Sequence, residues 1–430
     1  MERDITELVT HLILQLAVIL VAAKVAGEVC WRWLKIPPVI GELAVGVVIG
    51  PYALGGLPMP GYGPLFDNPV KPGAEGASLI PVSTELWSVA QIAAIILLFV
   101  AGLETNAKLF FKYAGPASVV AAGGVVLPFL LGAYATVLLG FAKGFSDPVA
   151  LFMGAVMTAT SVGITARVLS EKRKLDTPEG VTILGAAVID DVLGILVLTV
   201  VVGMAASGQV SISQVGIVGG KAVGFWLGLT GLGFLLSMLI SKFLLSFRVT
   251  GAALAIGLAL AFLASALAEM AGLAMIIGAY SIGLALSATK LARTIEEPLQ
   301  AVYHALVPIF FVVMGMLVDI SAMREAIVLG LVVTVLAIVG KVVGAGLPSL
   351  GMGFNMRGAW RIGLGMLPRG EVALIVAGVG LSRGVIGTDI FGVAIMMTLV
   401  TTVVAPIMLG PAFAKGGPGF RAGIGETHEG

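Results

Sequence analysis

The residues with the most chemistry in this 430-residue chain are two adjacent aspartates, Asp190 and Asp191, embedded in the apolar run LGAAVIDDVLGILVLTVV without a cation beside them. A carboxylate at mid-bilayer costs roughly 2.5 kcal/mol or more unless it is hydrated, protonated or paired. A helix-packing contact needs only one aspartate and a partner, so a pair points to an ion or proton site. Successive helical residues point about 100° apart, which gives the two carboxylates different neighbours and different tasks. Lys341, in VLAIVGKVVGAG, lies mid-run between glycines that let helices approach closely. Its expected partner is Asp190 or Asp191, and such a pair can release a proton when a competing cation claims the carboxylate. A purely structural lysine is the alternative; its mid-span position argues against snorkelling.

Two further apolar runs are interrupted. One carries Thr158-Ala-Thr-Ser-Val-Gly-Ile-Thr165, the other Gly363-Leu-Gly-Met-Leu-Pro-Arg-Gly-Glu371. Interrupted helices at matching places in two halves of a chain are the best sequence pointer to a transporter's substrate site. Thr160 and Ser161, with unwound carbonyls, can ligate a small hard cation, which prefers oxygen; bonding back to helix carbonyls is the alternative use of such hydroxyls. Pro368 is expected to start a new half-helix, where its missing N–H is not needed. Glu371 then falls near that half-helix's positive end and Arg369 near the preceding half's negative end, so both are expected to support the broken helix by compensating dipoles. Glu42, Glu104 and Glu269 lie nearer span ends, where water and loops are expected to satisfy them. Lys24 and Lys221 are expected to snorkel.

These residues have to be positioned by membrane helices. Hydrophobic residues make up 58% of the chain and charged ones only 11%, against roughly 25% charged in soluble domains. The mean hydropathy is +1.08, and the 59 glycines supply the small surfaces on which membrane helices pack. An all-α polytopic membrane protein follows. Runs of about 20 apolar residues, the length of a membrane helix, give about thirteen segments: 8–30, 38–56, 85–103, 114–140, 148–170, 180–204, 213–241, 249–269, 272–289, 299–318, 327–350, 360–381 and 388–412. Taken as six, one and six, they form an inverted repeat, because the single middle helix makes the second six begin on the opposite side. Lys35, Lys108, Arg167, Lys172, Arg173, Lys174, Lys242, Arg248, Arg357 and Arg361 fall on one side, whereas the other holds Arg3, Lys71, Lys143, Arg324 and Arg383. Positive charge stays cytoplasmic, which predicts the N-terminus outside and the C-terminus, including a short tail over 413–430, inside.

Several functions are excluded by absence. A net charge of +1 offers no basic patch for nucleic acid. The single Cys30 and the three histidines, His11, His304 and His428, are too sparse for disulfide, haem or cluster chemistry, so no cofactor is expected. No phosphate-binding glycine loop is present, and GIVGGKAV lacks the Ser or Thr after its lysine. ATP-driven pumping by this chain is therefore not expected, and coupling to an ion gradient remains.

In order along the chain, TATSVGITARVLSE, LGAAVIDDVLGILVL, PIFFVVMGM, VGKVVG and MLPRGEVALIVA resemble bacterial NapA-type sodium/proton antiporters of the monovalent cation:proton antiporter-2 family, over residues 10 to 412. The resemblance implies a homodimer of inverted-repeat subunits with two crossing broken helices. A core part (about 114–204 and 327–412) moves against a dimerisation part (about 8–103 and 249–318), with 213–241 as linker helix. It also implies that Asp191 binds the cation and protons alternately, that Asp190 pairs with Lys341, and that Thr160 sits beside the ion site. In the glutathione-gated potassium efflux relatives a glutamine replaces the first aspartate and a nucleotide-binding domain follows; this chain departs from them on both counts.

The expected function is therefore secondary-active, not enzymatic. Na⁺, and with it Li⁺, leaves in exchange for protons across the cell inner membrane by alternating access, in an electrogenic cycle of two protons per Na⁺. The rival readings are K⁺/H⁺ or broad monovalent-cation exchange, an ion channel, and Na⁺-coupled symport of an organic anion.

Overall fold

A computed structural model describes residues 5–59, 63–68, 80–207, 212–319 and 327–421. Arg3, Lys71 and Arg324 of the sequence's charge count, His428, and the tail beyond 421 lie outside the described residues. Helices account for nearly all of the rest: α1 (Ile5–Val29), α2 (Pro38–Ile49), α3 (Thr84–Glu104), α4 (Ala107–Lys112), α5 (Ala114–Leu138), α6 (Pro148–Thr158), α7 (Val162–Glu171) and α8 (Pro178–Ser207) lie in the first half. After α9 (Ile212–Leu245) follow α10 (Ala252–Met270), α11 (Met275–Leu286), α12 (Lys290–Met316), α13 (Ile327–Gly351), α14 (Met356–Gly365), α15 (Glu371–Ser382) and α16 (Thr388–Ala414). A two-residue pairing of β1 (Pro58–Met59) with β2 (Gly63–Pro64) closes the loop after α2. Among the described residues, eleven stretches are long and apolar enough to cross a membrane, with α6 and α7 counted together.

Every apolar run of the sequence became helix, with boundaries set by local signals. Asp147 caps α6 by accepting from the Val149 N–H, and Asn355 caps α14 by accepting from Arg357 and Gly358, each satisfying amides that have no partner inside the helix. Departures from the expected spans have physical causes. α11 has only 12 residues and rises about 18 Å, too short to cross alone, since Gly272 adopts a left-handed backbone that ends α10 and Ser287 and Thr289 fold the far end back on Leu284 and Leu286. At 34 residues α9 spans about 50 Å, longer than the ~30 Å hydrocarbon layer. Its outer surface carries Leu227, Leu232, Leu235, Met238 and Leu239, all exposed, a surface suited to lipid.

Helix packing forms two neighbourhoods. In one, α5 lies against α6, α8 and α13, while α13 also meets α14 and α16; in the other, α3 lies against α11 and α12, and α12 against α2. Close approach depends on glycine. A Cβ on Gly123 of α5 would stand 2.1 Å from the Gly344 carbonyl of α13, and one on Gly46 of α2 would stand 2.0 Å from the Val312 carbonyl of α12. The first of these contacts brings α5 and α13 together where Lys341 projects.

Residues 416–420 fold back over α14, where Arg361 donates to the Gly416 and Gly417 carbonyls and pairs with Glu179 at 2.7 Å, and Phe420 packs on Phe354 and Tyr113. Arg361, counted from the sequence among the charges on one face of the membrane, is thereby buried.

Candidate functional site

Both expected interruptions are present, and they touch. α6 ends at Thr158 and α7 begins at Val162; α14 ends at Gly365 and α15 begins at Glu371. The Ser161 N–H donates to the Pro368 carbonyl at 2.8 Å, and the Thr165 hydroxyl of α7 donates to the Gly365 carbonyl at 2.6 Å. Gly370 has no room for a side chain, because a Cβ there would lie 2.8 Å from the Ser161 hydroxyl oxygen. Pro368 does not occupy the first position of the second half-helix. It lies in the extended link, and Gly370 precedes the helix proper, so the proline's role is to keep the link non-helical while its carbonyl accepts from the other break.

Breaking two helices leaves carbonyl ends without partners, and two cations meet them. Arg369, fully buried, donates to the Met157 carbonyl at 2.7 Å, to Leu367 at 3.2 Å and to Ala337 at 3.4 Å. It therefore bridges the carbonyl ends of both α6 and α14, where a positive charge opposes the helix dipoles. Its own carbonyl accepts from the Thr402 hydroxyl of α16. Lys341, also fully buried, donates to the Thr158 carbonyl at 2.6 Å, to Gly124 at 2.7 Å and to Asp190 Oδ1 at 3.0 Å.

The adjacent aspartates thus part company. Asp190 is engaged by Lys341, with the Thr160 side chain next to it. Asp191 turns toward a cavity of about 310 Å³, and its Oδ2 has no hydrogen-bond partner. Thr158, Ala159, Glu371, Trp87, Gln91 and Glu269 line the same space. Glu371, at the first position of α15, also keeps one oxygen unpartnered, as do the hydroxyls of Thr160 and Ser161. Thr158 does not share this freedom, since its hydroxyl bonds back to the Ala155 carbonyl. Unpaired buried polar atoms are rare in folded proteins; of these, Asp191 and Glu371 line the cavity, whereas Thr160 and Ser161 lie in the α6–α7 break outside its lining. Oxygen-only donors of this kind suit Na⁺ as a transported cargo.

Other sequence expectations shift. Glu42 is satisfied by neither water nor loop: it is 2% exposed and lies 3.9 Å from Arg167 of α7. Arg167, counted from the sequence among the charges on one face of the membrane, is buried and stacks over the Tyr303 ring. Glu104 accepts from Ser170 and Gln300. Lys24 is exposed, as expected of a snorkelling lysine, and donates to the His304 carbonyl. Glu269 is likewise exposed as expected, at the rim of the cavity. The cavity-lining Trp87 and Gln91 and the tether at Thr402 were not anticipated, and nothing local in the sequence marks them, because each acts on a residue far along the chain.

Comparison with known proteins places the chain in a family. The sodium/hydrogen exchanger, transmembrane family profile matches residues 17–415. The high-affinity Na⁺/H⁺ antiporter NhaS3 of Synechocystis sp. is 38% identical over 96% of this chain and 92% of its own length. The Na⁺/H⁺-K⁺ antiporter GerN of Bacillus cereus is 32% identical over 95% of this chain and 98% of its own. The sodium proton antiporter MjNhaP1 of Methanocaldococcus jannaschii shares the fold, with a TM-score of 0.65 at 18% identity over 95% of this chain and 99% of that one. With its profile matched almost end to end, the chain belongs to the transmembrane sodium/hydrogen exchanger family.

Proposed function

We propose that this multi-pass membrane protein is a Na⁺/H⁺ antiporter that works by alternating access, with Asp191 as the carboxylate that Na⁺ and protons occupy in turn. The observation that carries this reading is the unequal partnering of the two aspartates. Lys341 holds Asp190, while the free oxygen of Asp191 faces a cavity that it shares with Thr158 and Glu371. Na⁺ entering the cavity competes with protons for Asp191, and its charge next to Asp190 favours release of a further proton from the Asp190–Lys341 pair. A bare carboxylate does not readily cross the low-dielectric layer, so only the loaded states move.

In this reading two protons exchange for one Na⁺, and the cycle carries charge. An inside-negative potential, worth about 2.3 kcal/mol per charge per 100 mV, then drives Na⁺ export. The core and dimerisation parts, the linker role of α9, the inverted repeat and the homodimer belong to the same proposal, as does placement in the cell inner membrane with the C-terminus inside. Arg369, Glu371 and Pro368 hold the broken helices in shape. Li⁺ is expected to follow Na⁺ through the site. GerN carries K⁺ in its name, and K⁺ exchange is the second reading, since the oxygen donors do not by themselves fix the cavity's preferred ion.

The experiment is cation-induced proton flux in liposomes that contain the purified protein, with Na⁺, Li⁺ or K⁺ added in turn. Na⁺-selective flux abolished by Asp191→Asn supports the proposal. K⁺-selective flux replaces the cargo and keeps the mechanism, whereas conduction without proton exchange overturns it. Clamping the membrane potential with valinomycin tests the charge balance: rates independent of potential would refute the two-for-one cycle.

A further inference from the structure

A second charged cluster lies at the end of the molecule opposite the cavity. α3 measures the separation: Gln91 lines the cavity, and Glu104, the last residue of the same helix, lies about 20 Å further along the axis. There α7, whose start forms one of the helix breaks, meets α2, α3 and α12. The Ser170 hydroxyl donates to Glu104 Oε2 at 2.7 Å, Arg167 approaches Glu42 to 3.9 Å, and its guanidinium lies 5.0 Å from the centre of the Tyr303 ring. Arg167, Glu42 and Tyr303 are each 5% exposed or less.

Losing one partner of a buried ion pair is normally costly, because the other charge is left uncompensated. Here each group that would separate keeps a companion on its own side. Arg167 is bonded at 2.6 Å to Glu171 one turn on in α7, and Glu104 is bonded at 3.2 Å to Gln300 of α12. Glu42 has Lys24 of α1 as a second cation in its surroundings. At 3.9 Å the Arg167–Glu42 contact is longer than a hydrogen bond, and Glu42 Oε2 and Arg167 Nη1 have no hydrogen-bond partner. Each side keeps polar contacts of its own, and those across the junction are few: one short hydrogen bond, one long ion pair and one cation–ring contact.

We propose that Ser170–Glu104 and Arg167–Glu42/Tyr303 form a separable latch, which holds α7 against α2, α3 and α12 while the cavity at the other end is open and releases once in every transport cycle. This rests on the alternating-access reading above. Opening exposes surface behind the latch, including Leu299 of α12, now 1% exposed beside Glu104 in a small cavity of about 80 Å³.

The test uses the full chain in liposomes with Cys30→Ser as background. Glu104→Cys with Ser170→Cys is joined by a bifunctional methanethiosulfonate and later released by reductant. The expected result is Na⁺-driven proton flux in the reduced protein, a loss of at least about tenfold on cross-linking, and recovery on reduction; flux that survives cross-linking overturns the latch. Should neither the wild type nor the reduced variant exchange Na⁺ for protons, it is the transport reading that fails, and the latch is judged by labelling. In the protein carrying Leu299→Cys, adding Ser170→Ala removes one interfacial hydrogen bond, which corresponds to about a fivefold change in the open fraction. Maleimide labelling of that cysteine is expected to speed up by the same factor, and an unchanged rate overturns the proposal.

Discussion

Replacing Lys341 by methionine keeps the volume of the side chain and removes its ammonium, so it tests what holds the ion site together. The lysine is fully buried and satisfies three acceptors: Asp190, the Gly124 carbonyl and the Thr158 carbonyl at the open end of α6. Breaking a buried ion pair by deleting one partner costs about 3–5 kcal/mol, and each orphaned buried carbonyl costs about 1–3 kcal/mol when nothing replaces its donor. Protonation of Asp190 recovers part of the first cost, so a net loss of about 3–5 kcal/mol is expected. Asp190→Asn alone leaves the ammonium buried without its counter-charge and is expected to destabilise as well. The double variant removes both charges and is expected to be more stable than the sum of the single losses predicts, by about 1–3 kcal/mol, within the range of measured couplings between contacting residues. Unfolding by SDS from mixed micelles, run on the four proteins at one pH, gives the cycle directly. Additive losses, or a Lys341→Met protein as stable as the wild type, would refute the claim that this pair carries the polar core of the site.

Three other outcomes follow from the same geometry. Thr160→Val removes a buried hydroxyl beside Asp190 that makes no close hydrogen bond, so stability without Na⁺ is expected to fall by no more than about 1 kcal/mol, while the Na⁺ concentration for half-maximal flux rises about tenfold; unchanged Na⁺ dependence would take Thr160 out of the ion site. Arg369→Gln loses the bridge between the Met157 and Leu367 carbonyls and is expected to lower stability by about 2–4 kcal/mol, with Arg369→Lys recovering only part, since one ammonium lacks the guanidinium's fork; both are read in the same micelle titration. Gly123→Leu drives a side chain into the Gly344 carbonyl, separates α5 from α13 and withdraws Gly124 from Lys341. Flux and stability are expected to fall together, and a fully active variant would show that the close approach is dispensable.

The sequence by itself determined the membrane class, the helical runs and the two interruptions, because hydropathy, charge scarcity and helix-breaking residues are local properties of the chain. It also singled out Asp190, Asp191 and Lys341, since a charge inside an apolar run is conspicuous wherever the chain goes. Which aspartate meets the lysine depends on the rotation of α8 against α13; the residues alone left it open, the family resemblance implied Asp190, and the structure pairs Lys341 with Asp190 and turns Asp191 to the cavity. Pro368 shows the limit of a local rule: its ring suits a helix start, yet the contact with Ser161 from the other break keeps it in the link. Arg167 and Glu42 illustrate the rest. Both lie near the ends of apolar runs, where water is the default partner, and only the packing of α7 against α2 and α12 removes that water and leaves them to each other. Such pairings join residues more than a hundred positions apart, and the packing of whole helices chooses them, which no local pattern of residues encodes.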